Sequence, residues 1–236
     1  IRHHPYLVES WSKLDQAVRE GRPMSHPAVA SDDAQNEAFL MGMFNNAMAI
    51  APRVASELDL SGRKRLLDFG GGPGSFAIQF CKHYPDLTAT VCDLASTRPF
   101  AEKTIARFGL SDRIEFVEFD YLSQDVPGTY DVVWLSHILH AEGPDICRKI
   151  LAKALKALEP EGLIAIHDFI LEDTLDSPVF PALFSLNMLL GTDQGRSYSE
   201  EQITAMLVEN GIREIRRLPF RGPTESSILI GKTPKN

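Results

Sequence analysis

Cysteine is scarce in this chain: Cys81, Cys92 and Cys147 are its three occurrences. Their odd number and their spacing, which matches no metal-binding pattern, argue against a disulfide framework. They read as small buried hydrophobes in a reducing compartment. Positive charge is in deficit as well, since 24 Lys and Arg against 32 Asp and Glu leave a net charge of −8. Proteins held to nucleic acid mainly through phosphate contacts carry a basic face, so nucleic acid is not the expected partner. No run approaches the ~18–20 uninterrupted apolar residues of a membrane span, and no basic-then-apolar signal region opens the chain. The expectation is a cytoplasmic protein without a membrane partner. Internal repeats, low-complexity tracts and Ser/Gly linkers are missing too, and the chain begins at Ile1 rather than Met.

What remains is ordinary for a folded domain: 44% hydrophobic and 24% charged residues over 236 positions, enough for one sizeable core. Up to about residue 60 the pattern is helical, over 6–20 and then 34–58, the latter carrying Phe39, Leu40, Met43, Phe44, Met48 and Val54. From about residue 65 the elements alternate. Strands are expected at 64–69, 87–92, 114–119, 130–135 and 163–167, with helices at 75–83, 97–108 and 146–158 between them. An apolar helix follows Pro178 and Pro181, then a helix over 199–210 opened by Ser199 with Glu200 and Glu201 in its first turn. Strands at 214–218 and 226–231 close the chain as an antiparallel hairpin. The expected architecture is α/β, a mostly parallel seven-stranded sheet with an antiparallel edge. Residues 1–60 form a helical segment and residues 61–236 the α/β domain.

The sharpest motif is Leu67-Asp68-Phe69-Gly70-Gly71-Gly72-Pro73-Gly74-Ser75-Phe76, which follows one strand and opens one helix. Glycines at Gly70, Gly72 and Gly74 suit a turn where backbone must approach a ligand closely, at the sheet edge where nucleotides bind. A dinucleotide fingerprint would have glycine at position 75, and Ser75 stands there, which disfavours a dehydrogenase. Asp93 ends the next strand 23 positions after Gly70, where a carboxylate can accept both hydroxyls of a ribose. Asp120 and Tyr121 end the third strand at the same edge, a carboxylate suited to an adenine amino group and an aromatic suited to its face. No basic residue lies in the glycine loop to answer a phosphate, so S-adenosyl-L-methionine is the candidate cofactor.

These residues resemble the S-adenosylmethionine-dependent O-methyltransferases of the caffeate, acetylserotonin and bacterial polyketide type. The resemblance runs through 66–74, Cys92-Asp93-Leu94, Phe119-Asp120-Tyr121, Ile138-Leu139-His140 and Glu159-Pro160-Glu161-Gly162. It implies a Rossmann-like class I methyltransferase fold, with 61–236 as the catalytic domain and S-adenosyl-L-homocysteine as the second product. Asp68, Leu94 and Ser136 join the glycines, Asp93, Asp120 and Tyr121 as cofactor contacts. His140 corresponds to the family's general base, a role an imidazole can fill near neutral pH. Asp168, 28 positions on, fills the place of an orienting carboxylate. Its neighbour His167 should face the other side of the sheet. Met188 matches a family pocket position; with Phe184, Met43 and Phe44 it is expected to line a small-molecule acceptor site of aromatic or polyketide-like shape. Family members also carry an N-terminal winged-helix domain, of which nothing appears before Ile1, and a homodimer is the expected state of the full-length protein.

The chain departs from the family at two points. Ala141-Glu142 replace Asp-Trp after the histidine, removing an aromatic wall that Tyr121 would have to supply. Ser197 stands where plant members have a second acidic residue. Transfer to nitrogen or carbon, or a cofactor-binding module without chemistry, are the alternatives.

Overall fold

The computed structural model describes residues 4–23 and 33–235, with side chains from Val8 to Pro23 and from Leu40 onward. The element order is α1 (His4–Trp11), α2 (Leu14–Glu20), α3 (Asp33–Glu57), β1 (Arg65–Phe69), α4 (Ser75–His83), β2 (Thr88–Asp93), α5 (Arg98–Arg107) and β3 (Ile114–Glu118). It continues with β4 (Tyr130–Ser136), α6 (Pro144–Lys156), β5 (Leu158–Asp168), α7 (Val179–Gly191), α8 (Glu200–Glu209), β6 (Arg213–Arg217) and β7 (Ser227–Lys232). The seven strands lie in the order β3-β2-β1-β4-β5-β7-β6. Pairing is parallel from β3 to β5, whereas β7 runs antiparallel to both β5 and β6. The chain moves outward from β1 through β2 to β3 and then returns to the other side of β1. That reversal opens a crevice beyond the carboxyl ends of β1 and β4.

Alternation along the central strands builds the two layers that hold the crevice. Leu66, Val132, Trp134 and Ala165 face a cluster shared with α3, α4 and α5. Leu67, Val133, Leu135 and Ile166 face a second cluster with α6 and α8. With both faces covered, these strands read as near-continuous apolar runs rather than alternating ones. Extending the same period of two places His167 and Asp168 on opposite faces. The cap expected at Ser199 is present: its hydroxyl accepts from the Gln202 N–H, and the Gln202 side chain returns to the Ser199 N–H.

Two expectations need correction. The helix expected over 6–20 is broken, with α1 ending at Trp11 and α2 starting at Leu14. Ser12 donates its hydroxyl to the Glu9 carbonyl, and the Lys13 N–H turns back to Ser10, which closes α1 locally instead of propagating it. β5 is longer than 163–167, because pairing with β4 resumes at Tyr130–Leu158 on the far side of a bulge that accommodates Pro160 and a left-handed Glu161. The Phe39 side chain lies outside the described residues, so its expected place in the helical core is not assigned.

α1 and α2 pack on α7, and Trp11 Nε1 donates to Asn187 Oδ1 at 3.2 Å. α3 packs on α4. Phe80 is fully buried from α4, edge-on to Trp134 at 5.1 Å. Truncating it as Phe80→Ala should cost ~3–5 kcal/mol of unfolding free energy in urea titration, because a close-packed interior relaxes only partly around such a hole. A loss below ~1 kcal/mol would show that this face is not close-packed.

Candidate active site

The loop after β1 sits against the loop after β4. A Cβ added at Gly70 would come 2.3 Å from Ile138 Cδ1 and push that side-chain tip aside, and the φ of +66° strains any residue other than glycine there. At Gly72, with φ of +54°, nothing lies within 4 Å of the same position, and the loop backbone there borders open space. Gly74 caps α4 from the left-handed region. Asp93 ties this loop to β2: its Oδ2 accepts from the Gly72 N–H at 2.8 Å, and its Oδ1 from the Leu94 N–H and the Thr97 hydroxyl. Burial pushes the Asp93 carboxyl upward, and these donors oppose it.

Asp68, at the end of β1, is buried beneath the loop. Its Oδ2 accepts from the Ala77 N–H in the first turn of α4, while Oδ1 has no partner. Burial pushes its carboxyl up to about 7, with the Ala77 N–H pulling the other way and the negative charge of Asp93 adding to the rise.

Across the crevice, His140 Nδ1 and Asp168 Oδ1 stand 2.6 Å apart, and the His140 N–H reaches Asp168 Oδ2 at 3.4 Å. Asp168 Oδ1 also accepts from the Phe169 N–H. Burial alone would raise the Asp168 carboxyl. The charge of His140, its hydrogen bond and the nearby His137 outweigh it and hold Asp168 well below the carboxylate range. His140 occupies a short turn at 139–141 that is locked from behind. Cys147 Sγ donates to the Leu139 carbonyl at 3.3 Å, and Tyr198 Oη donates to the Glu142 carbonyl at 2.6 Å.

Aromatic rings wall the imidazole. Phe184 meets it edge-on at 4.9 Å, Phe169 lies roughly parallel at 6.0 Å, and Phe180 packs on Phe169 at 5.1 Å. His137, His140 and Asp168 bring three potential metal-ligand atoms within 4.8 Å of one another. The 2.6 Å contact, however, is a proton-bridged hydrogen bond that a cation between the two atoms would displace.

Residues 11–213 match the family model of the O-methyltransferase domain. The chain belongs to the O-methyltransferase family. It is 34% identical over 231 residues to the 3-hydroxy-5-methyl-1-naphthoate 3-O-methyltransferase of Streptomyces sahachiroi, which covers 96% of this chain and 67% of that relative. An O-methyltransferase family protein from Burkholderia thailandensis superposes with a TM-score of 0.87 at 26% identity, covering 100% of this chain and 71% of that one. PigF with SAH superposes with a TM-score of 0.81 at 26% identity, covering 98% and 72%. The chain thus spans about two thirds of the length of the relatives it matches.

As an O-methyltransferase the chain uses S-adenosyl-L-methionine, and the crevice suits it. The unpartnered Asp68 Oδ1 is the acceptor that a cationic, donor-rich ligand would satisfy, and the open Gly72 backbone gives room for close approach.

Other expected contacts are placed less simply in this methyltransferase. Asp120 spends both carboxylate oxygens on its own turn, accepting from the Leu122 N–H and the Ser123 hydroxyl. Tyr121 stacks on Phe69 at 6.1 Å and donates its hydroxyl to Glu142. Leu94 is half exposed beside Asp93. The Ser136 hydroxyl contacts His167 Nδ1 at 2.8 Å, and His167 Nε2 contacts the Ser226 hydroxyl at 3.0 Å. His167 is therefore on the face opposite Asp168, where burial and the neighbouring His137 keep it neutral.

The expected acceptor residues divide between two regions. Phe184 touches His140, and Met188 lies one turn on along α7, half-buried. Met43 is exposed on α3, whereas its neighbour Phe44 is buried. No ring contact joins Phe44 to the cluster at His140 among the described residues. Ser197 is buried and latches α7, donating its hydroxyl to the Pro181 carbonyl. Among the described residues, no carboxylate other than Asp168 approaches His140 within ion-pair distance.

Sequence reasoning passed over His137, Phe169 and Phe180, which complete the wall. Phe180 and Phe184 form an i, i+4 pair, a helical spacing that could have drawn attention to them.

The buried Asp68 gives a pH signature. A folded-state carboxyl raised to about 7 is one whose ionisation opposes folding, so stability falls as pH rises from about 4 towards 7. Asp68→Asn cannot ionise. Its stability relative to the parent should therefore increase over that window by up to roughly 1.4 kcal/mol per pH unit and level off above it. A difference that stays flat from pH 4 to 8 in urea titrations would contradict the raised carboxyl.

Proposed function

We propose that the chain methylates a hydroxyl of a small, largely apolar acceptor of aromatic or polyketide-like shape, with His140 as general base and Asp168 as its orienting partner. The observation that carries this reading is the 2.6 Å contact between His140 Nδ1 and Asp168 Oδ1. It engages one ring nitrogen and leaves Nε2 for the acceptor. S-adenosylmethionine supplies an electrophilic methyl group on a sulfonium centre. His140 Nε2 takes the proton of the acceptor hydroxyl as that oxygen becomes the nucleophile, and Asp168 stabilises the imidazolium that forms. Phe169, Phe180 and Phe184 exclude water around the ring and offer an apolar surface to a flat acceptor.

Met188 and, from α3, Met43 and Phe44 extend that surface in this reading. The naphthoate named for the Streptomyces relative is an acceptor of this kind. On the cofactor side, Asp93 receives the ribose hydroxyls, Asp120 and Tyr121 the adenine, and Asp68 and the loop Gly70, Gly72 and Gly74 the amino acid end. Leu94 and Ser136 complete the lining. The same reading takes residues 61–236 as the catalytic domain, and the full-length protein as cytoplasmic and homodimeric. Three buried thiols, all pushed upward by burial, suit a reducing compartment.

Two measurements test the assignment. With a hydroxynaphthoate acceptor, His140→Ala should lower kcat by about 10²–10⁴-fold, and Asp168→Asn by at least about tenfold, while S-adenosylhomocysteine binds both variants as it binds the parent. Parent-level turnover by His140→Ala on every acceptor tried would remove the base. In calorimetric titration, Asp93→Ala should weaken S-adenosylmethionine binding by at least about tenfold, the usual cost of leaving polar groups unpaired in a closed site. Unchanged affinity would take Asp93 out of the cofactor site.

A further inference from the structure

His137 is the residue at this site that the reading above leaves without a role, and it is held there against local preference. Its φ is +58°, a left-handed conformation that costs any residue but glycine, although histidine, asparagine and aspartate adopt it more often than other side chains. Its N–H donates to the His167 carbonyl at 2.9 Å, which fixes the backbone in that state. Its ring packs at 4.6 Å from Phe169, 4.7 Å from His167 and 5.5 Å from His140. Nδ1 is buried with no hydrogen-bond partner, yet it lies 3.6 Å from Asp168 Oδ1, the atom that also serves His140. Strain at a residue that also carries an unmatched buried nitrogen points to a task other than packing.

We infer that His137 is a second positioning histidine: it directs Nδ1–H at Asp168 Oδ1 and, by drawing on that carboxylate, tempers how strongly Asp168 holds a proton on His140. The inference rests on the assignment of His140 and Asp168 as base and orienting carboxylate. The tautomer follows from chemistry, because an ionised carboxylate oxygen is purely an acceptor and repels a ring lone pair. At 3.6 Å the contact is too long for a hydrogen bond. In a buried setting the N–H dipole still acts on the charge, because little solvent screens it. With Oδ1 serving His140, the Phe169 N–H and the His137 dipole together, His140 is less basic than a lone Asp–His pair would make it.

The other groups around this pair do not supply the effect. His167 has both ring nitrogens engaged by Ser136 and Ser226 and is kept neutral by burial. Cys147, from α6, is a buried thiol raised by burial and bonded to backbone carbonyls. Glu142 is turned to the Tyr121 hydroxyl. The α7 residues facing the ring are Phe180 and Phe184, which carry no charge.

Two substitutions suit the left-handed backbone and separate the dipole from the fold. His137→Gly removes the ring, and His137→Asn keeps a donor at the position of Nδ1. Histidine ring resonances of the full chain, followed by NMR across pH, report the midpoint of His140, assigned by its loss in His140→Ala. The midpoint should rise by about half a pH unit or more in His137→Gly and return to the parent value in His137→Asn. The acidic limb of kcat/KM should move by the same amounts. A His140 midpoint unmoved in a folded Gly variant overturns the inference, as does a kcat that falls equally at every pH, the mark of a merely structural role. If the Gly variant does not fold, the Asn variant decides alone: a midpoint displaced from the parent value overturns it. Failure of the base assignment shows separately, as a parent kcat/KM limb that does not follow the His140 midpoint, and the NMR comparison then still decides the coupling.

Discussion

Parallel pairing delivers the ends of β1, β2, β4 and β5 to one edge, and the candidate site depends on that constraint before any side chain is considered. Each strand ends in a carboxylate or in a loop that needs one: Asp68 at the end of β1, Asp93 at β2, the 137–142 loop after β4, and Asp168 at β5. Because the strand order reverses between β1 and β4, the glycine loop and the histidine turn become neighbours although some 65 residues apart in sequence. The contact of Gly70 with Ile138 is where the two loops close on each other. A side chain at position 70 would strain the left-handed backbone there and push the tip of Ile138 aside.

Two buried aspartates at that edge show how the same chemistry is sent in opposite directions. Asp68 and Asp168 are both almost fully buried, and burial alone raises any carboxyl. Asp68 has one backbone donor and a carboxylate neighbour, so burial wins and its carboxyl rises. Asp168 has two imidazoles and backbone donors, so they win and it stays ionised. Partner count, rather than depth, decides the sign. Pairs of like groups pushed apart in this way mark where an enzyme separates roles. Here one carboxylate is left an open acceptor under the glycine loop, and the other is a fixed anion behind a histidine.

Much of this was legible in the sequence because it is local. A strand, a glycine turn and a helix occupy consecutive residues, and Asp93, His140 and Asp168 each stand at a strand end or just after it, where spacing alone places them at one edge. The sheet with its antiparallel hairpin followed from the same alternation. What spacing could not show depends on contacts between distant segments. His137 is left-handed because its N–H is claimed by β5, a pairing that no local propensity encodes. Asp120 follows a strand as expected, yet its oxygens serve a turn, since Asp favours its own nearby N–H groups wherever the chain bends. Met43 and Phe44, adjacent on one helix, point in directions about 100° apart, so only tertiary packing decides which of them is covered.

The departure at Ala141-Glu142 changes what holds the turn that carries His140. Without the aromatic residue that the family resemblance leads one to expect after the histidine, the wall on that side of the crevice has to come from elsewhere. Tyr121, in the loop after β3, lies against Phe69 and reaches Glu142 with its hydroxyl at 2.7 Å. Burial and that carboxylate both push the phenol upward, so it remains a donor and the link persists across the pH range of a living cell. Lys153 of α6 donates to the Tyr121 carbonyl, which fixes the backbone from the other side. A glutamate stands in place of an indole. It tethers an aromatic ring from β3's loop to the turn that carries His140, so that turn is held at Glu142 from the Tyr121 side and at its backbone by Tyr198 and Cys147.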